Sequence, residues 1–146
     1  MATRAGRKYN TKKKKHIDLQ HWCCDEVAKL GGVHYNIITG AGRGVPDLCM
    51  FLGAVGFMCE VKVGRDKMSP QQEKRIRDHM DRGSIAVVVY DDIDSQIAFA
   101  NWVRAVYDFI AGGYKCRDVL EGCPIPEAIV PKFAPVTVID GAVLLD

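Results

Sequence analysis

A chain of 146 residues, 48% hydrophobic and 26% charged, has the make-up of one soluble globular domain long enough to bury a core. No apolar run approaches the roughly 20 residues that span a bilayer, and MATRAGRKYN lacks the apolar stretch of a signal peptide; a cytoplasmic protein with no membrane attachment is expected. The net charge of +2 is unevenly placed: residues 1–15 hold seven Lys and Arg and no acid, so the rest of the chain carries −5. A basic arm on an acidic body points to a polyanionic partner such as nucleic acid, with Lys12, Lys13, Lys14 and Lys15 as candidate phosphate contacts, although a solvated tail has the same composition.

Residues 16–30 carry apolar side chains near helical spacing (Ile17, Leu19 or Trp22, Cys23, Val27, Leu30) and end at Gly31-Gly32, which predicts a helix. Tyr35 to Thr39 reads as a short strand, and 40–46 as a Gly/Pro loop in which Arg43 could approach a phosphate. LCMFL (48–52) and FMCEVKV (57–63) are strand-length and joined by GAVG, a hairpin pattern. Ser69-Pro70-Gln71-Gln72 has the N-cap, first-turn proline and capping-box glutamine of a helix running to about Arg82. SIAVVVY (84–90) is apolar throughout, as a strand covered on both faces would be. One of Asp91, Asp92 or Asp94 caps a last helix to about Ile110; PVTVI and AVLL form a candidate hairpin around Asp140-Gly141. The expected organisation is a basic arm (1–15), a core (16–110) with a parallel crossover between the third and fourth strands, and a C-terminal extension (111–146). Of the six cysteines Cys49 and Cys59 lie in strand-like runs and Cys23-Cys24 on the helix, and no CxxC pair occurs, so free thiols are expected rather than disulfides or zinc.

Glu60 and Lys62 are out of place in an apolar strand. Alternation puts them on one face and Cys59, Val61 and Val63 on the other, and charges inside a core strand need compensation or a task. With the turn centred between Ala54 and Val55, cross-strand partners sum to 109. Asp47 then lies opposite Lys62, roughly 5 Å away by Cβ, and diagonal to Glu60 at about 7–8 Å. Two carboxylates at that separation suit a hard cation, Mg2+ or Mn2+, and the ammonium could orient a water or stabilise charge on a phosphate. A cross-strand ion cluster with a purely structural role would use the same residues. Trp22 and Trp102 sit at helical apolar spacing and are expected in the core.

Pro46-Asp47 followed thirteen residues later by Glu60-Val61-Lys62 resembles the PD-(D/E)xK nuclease superfamily. The order GRGVPDL, EVKVG, SPQQ opening a helix, then an apolar strand is similar to the virus-type replication-repair nuclease (VRR-NUC) family over about residues 16–107. The resemblance implies a restriction-endonuclease-like α/β fold, a mixed four-stranded sheet flanked by helices in the order αβββαβ, and metal-dependent hydrolysis of DNA. Asp47, Glu60 and the Val61 carbonyl would be metal ligands and Lys62 the catalytic lysine. Gln72 matches a glutamine that the family carries at the start of the following helix, while a capping box accounts for it equally well. Related members place a Glu one turn before a Gln in the first helix; aligned on Gln20, that position holds His16. Either His16 substitutes for it, or Asp18 or Glu26 serves, or this contact is missing. Lys67 is a further candidate contact to the DNA backbone.

The reading is a Mg2+- or Mn2+-dependent endonuclease acting on structured or branched DNA, such as a four-way (Holliday) junction resolvase. The small standalone size resembles phage-type members and implies a homodimer. The alternatives are a DNA-binding module that keeps the fold without cutting, and a flap or single-strand nuclease.

Overall fold

The computed structural model describes residues 4–37, 45–64, 66–134, 136–139 and 142–145. Arg43 with its glycine loop, Arg65 and the expected turn at Asp140-Gly141 lie outside the described residues. The elements in chain order are α1 (Arg4–Lys29), β1 (Val33–Asn36), β2 (Leu48–Leu52), β3 (Val55–Lys62), α2 (Pro70–Asp81), β4 (Ile85–Tyr90) and α3 (Ile93–Ala111). Two 3-10 turns, the short α4 (Val119–Gly122) and the strands β5 (Val136–Ile139) and β6 (Ala142–Leu145) follow.

Helix α1 begins well before the expected residue 16. Its backbone continues through the lysine run to Arg4, so the basic segment is the N-terminal half of a helix rather than a loose tail. Nothing in 7–15 breaks it: Lys and Arg are good helix formers, and side chains 11–15 are exposed. Only the second half carries a buried stripe, Leu19, Cys23 and Val27 at a four-residue spacing. The helix stops where Gly31 takes a φ of +76° and Gly32 N–H bonds the Val27 carbonyl at 3.0 Å. Gly32 allows a close approach, since a Cβ there would sit 2.7 Å from the Phe51 carbonyl oxygen.

The main sheet has the order β1-β2-β3-β4, antiparallel for the first two pairs and parallel for β3-β4. The first strand lies two residues earlier than expected, at Val33–Asn36, and all four of its side chains are exposed. The hairpin also differs. Leu52 pairs with Val55 and Leu48 with Cys59, so partners sum to 107 rather than 109 and the turn is the two-residue Gly53-Ala54. Gly53 at φ +60° explains the tighter turn, which GAVG spacing alone did not reveal. A shift of two positions keeps every side chain on its expected face, but it sets Glu60, not Lys62, opposite Asp47.

One face of the sheet is sealed. Leu48, Met50 and Leu52 of β2, Phe57, Cys59 and Val61 of β3, and Val87 and Val89 of β4 form a single cluster with Cys23 and Val27 of α1 and Phe99, Trp102 and Val106 of α3. Trp102 stands edge-on to Phe57 at 5.0 Å and donates its indole N–H to the Cys123 carbonyl. Trp102, expected in the core, is buried within the chain together with Val103 and Val106. Val119, Cys123 and Ile129 of the C-terminal extension enter the same core. All six cysteines are free thiols. The opposite face is covered only in part, by α2, whose Ile76 is buried and which packs on β4.

Candidate active site

The site forms at a fork. Beyond the Leu48–Cys59 pair, β2 and β3 no longer share the ladder, and the edge of β3 at Val61 is met by side chains. The Asp47 carboxylate accepts the Val61 N–H at 2.9 Å, and the Val61 carbonyl lies 3.2 Å from His16 Nε2. The Glu60 carboxylate in turn accepts the Asp47 N–H at 3.2 Å. These reciprocal bonds hold Asp47 against Glu60 without a regular strand pair.

Helix α2 supplies the other wall. Ser69 is its N-cap, with both halves of the capping box formed. Gln72 does more than cap. Its Oε1 accepts from Ser69 N–H (2.9 Å) and from Lys62 Nζ (2.8 Å), while its Nε2 donates to Glu60 Oε1 at 3.0 Å. The capping box is formed, and the same amide that closes the first turn ties Glu60 to Lys62. Lys62 Nζ lies 3.5 Å from Glu60 Oε1.

Glu60 is 2% exposed and Lys62 9%, so their charges interact in a medium far less screening than water. Burial, then the neighbouring Asp47 charge, push Glu60 up to about 8, and Lys62 offsets this only in part. The 3.5 Å approach of Lys62 therefore does not by itself secure an ionised Glu60. Asp47 goes the other way. Burial raises it, but the His16 hydrogen bond and the Val61 N–H together outweigh burial and leave it below the ordinary carboxylate range. His16 is raised, chiefly by its hydrogen bond to Asp47, whose Oδ2 lies 3.4 Å away.

This donor set fits a hard divalent cation. Asp47, Glu60 and the Val61 carbonyl are oxygen donors, and a buried carboxyl whose pKa is raised beside a second carboxylate marks a place where positive charge is wanting. Among the described residues no three His, Cys, Asp or Glu side chains gather as a metal-binding group; the third oxygen here is main-chain.

Of the first-helix candidates, His16 reaches the site. Gln20, half-buried one turn later, makes no hydrogen bond to Asp47, Glu60 or Lys62; Asp18 is exposed and Glu26 pairs with Lys29 at 2.8 Å. Lys12 pairs with Asp66 at 2.6 Å, tying the basic half of α1 to the loop after β3. With Lys13, His16 and Val63 this pair lines a cavity of about 280 Å³ beside the site. Lys14, Lys15 and Lys67 are exposed. Sequence reasoning missed residues 132–134, which pack beside the first turn of α2; no motif marks them.

The comparisons with known proteins give the family and the fold. The model of the VRR-NUC domain matches residues 12–91, more than half of the 146-residue chain. The chain belongs to the VRR-NUC family. A solved structure described as a VRR-NUC domain superposes with a TM-score of 0.53 at 22% identity, covering 60% of this chain and 95% of that one. At that identity the likeness shows the fold, and the fold is the mixed α/β sheet of this nuclease family. No curated protein matches. Among the described residues no helix is long and apolar enough to cross a membrane.

Proposed function

We propose that this VRR-NUC chain is a metal-dependent endonuclease that hydrolyses phosphodiester bonds in branched DNA. The observation that carries the reading is the closed network of Asp47, Glu60, Gln72 and Lys62 around the Val61 main chain. A structural ion cluster would need only the Glu60–Lys62 contact. Here a helix cap is recruited to hold the lysine still, and the same strand edge presents a carbonyl.

A bound Mg2+ or Mn2+ would supply a polarised water and neutralise phosphoryl charge. Asp47, Glu60 and Val61 O would hold it. Lys62, its ammonium fixed by Gln72, sits where it can orient the attacking water and stabilise charge on the phosphate. In the net reaction water adds to phosphorus, one P–O ester bond breaks, and a proton from water ends on the departing oxygen. His16 positions the Asp47 carboxylate through its Nε2–H. The basic half of α1 contributes phosphate contacts that guide the duplex to the site.

Resolution of a four-way junction takes two incisions related by the two-fold symmetry of the junction, and one chain carries one site, so the working form is a C2 homodimer. The decisive experiment incubates the protein with a synthetic four-way junction and Mg2+ or Mn2+. Paired, symmetry-related nicks are expected, with none in chelator. Asp47→Ala should lower the rate on the order of a thousandfold while leaving the circular dichroism spectrum unchanged. Undiminished cutting by that variant would sink the assignment; a monomer that cuts flaps but not junctions would sink the resolvase reading alone.

A further inference from the structure

Beside the catalytic network lies a second, larger concavity. It opens where the parallel strands β3 and β4 end, the edge at which ligands collect in α/β sheets. Its volume is about 670 Å³, within the roughly 300–1,000 Å³ of cavities that enclose small organic ligands. Gly64 and Pro70 form its rim on the β3–α2 side, Tyr90 closes β4, and Lys132, Phe133 and Ala134 build the far wall. Tyr90 is the ladder partner of Lys62. Residues facing each other across a parallel pair share a face, so the cleft continues the surface that carries Glu60 and Lys62.

The far wall is pinned. Ala134 N–H donates to Glu73 Oε1 at 2.8 Å, Arg77 Nη2 donates to the Ala134 carbonyl at 3.4 Å, and the Arg77 guanidinium lies 4.4 Å from the Phe133 ring centre. This segment lies beyond residue 91, where the family match ends, so the wall is an addition to the family core.

The acidic groups around the cleft are engaged. Glu73 holds Ala134, Asp66 is paired with Lys12, and Asp91 accepts the Gly64 N–H. Lys67 and Lys132 are exposed and, among the described residues, belong to no ion pair. Two unpaired ammonium groups and two aromatic rings in one cleft match the two halves of a nucleotide: phosphate for the lysines, an unstacked base for the rings.

We infer that the cleft lined by Tyr90, Phe133, Lys67 and Lys132 binds one unpaired nucleotide of the DNA strand next to the scissile phosphate. The inference rests on the nuclease reading and adds what that reading lacks, a reason for the enzyme to prefer DNA whose bases are already unstacked, as at a branch or an overhang. A base in a continuous duplex would have to be pulled from its stack to enter.

The test measures binding of the full chain in chelator, so that cleavage plays no part, to a duplex with a single-stranded overhang and to a fully paired duplex. Lys132→Ala and Phe133→Ala should each weaken overhang binding by about tenfold and leave the paired duplex nearly unaffected. Lys132→Ala should also lower the slope of log K against log salt by about 0.7, which Phe133→Ala should not. Phe133→Tyr, which keeps a ring and so controls for loosening of the wall, should restore binding. Equal losses on both DNAs, or none on either, would overturn the inference. So would tight binding of a free deoxynucleoside monophosphate that the variants lose while overhang affinity stays intact. Wild type that cuts a junction while these variants bind normally overturns the cleft alone; selective overhang binding without any metal-dependent cutting overturns the nuclease reading alone.

Discussion

The two faces of strand β3 show how one stretch of chain serves opposite ends. Phe57, Cys59 and Val61 project into a core closed by α1 and α3, where they join one hydrophobic cluster. Glu60 and Lys62, interleaved with them, project under the edge of α2, where each side-chain polar atom of Glu60, Lys62 and Gln72 has a hydrogen-bond partner. The sealed face supplies stability, and the proposed chemistry lies on the half-covered face.

The largest expected effect tests that division on the sealed side. Phe57→Ala empties a site packed by Trp102 and Phe99 and should cost about 4 kcal/mol of stability by denaturant titration. Cleavage well below the lowered melting point should persist at near the wild-type rate. A variant that stays folded yet is inactive would mean that the two faces are not separable.

On the half-covered side the expected effect is smaller and of another kind. Gln72→Ala removes the amide that links Glu60 to Lys62 and should reduce cleavage by about 10- to 100-fold, the usual consequence of losing a group that orients a ligand. Its stability loss should be about 1 kcal/mol, from half of a capping box. If activity and stability fell in the same proportion, Gln72 would be a cap and nothing more.

The last effect is in pH. In metal-free protein Glu60 holds its proton up to about 8 when folded and releases it from about 4.5 when unfolded. Between those values the native state binds more protons than the unfolded one, so stability falls as pH rises. His16, raised when folded, contributes stability that is fully present below its ordinary value of 6.5 and lost as pH rises through its folded value. Asp47, lowered when folded, acts only at more acidic pH, where its contribution is lost as pH falls. Melting in chelator should therefore give a lower midpoint at pH 8.5 than at pH 5.5, and Mg2+ or Mn2+ should raise the midpoint more at the higher pH. A midpoint unchanged over that range in chelator, and unmoved by metal, would contradict the electrostatic picture of the site.

The local chemistry of the chain was enough for several features because each depends on neighbours in sequence. Ser69-Pro70-Gln72 specifies a helix start wherever it occurs, and period-two alternation puts Glu60 and Lys62 on one face whatever lies beyond. Asp47 reached their side even though its expected partner was wrong, since a register error of two residues preserves the face and only an odd error would have lost it. What the tertiary structure alone decided are the contacts between segments whose spacing carries no signal. His16 stands 45 residues from Val61, and its approach depends on how α1 crosses the end of the sheet. The pairing of Lys12 with Asp66 depends on the same crossing, and it holds the basic helix beside the site. Residues 132–134 come to α2 through hydrogen bonds that their own main chain makes to Glu73 and Arg77. A backbone N–H or carbonyl is common to nearly every residue, so a contact made through it leaves no mark in the sequence, and packing alone chooses where it falls.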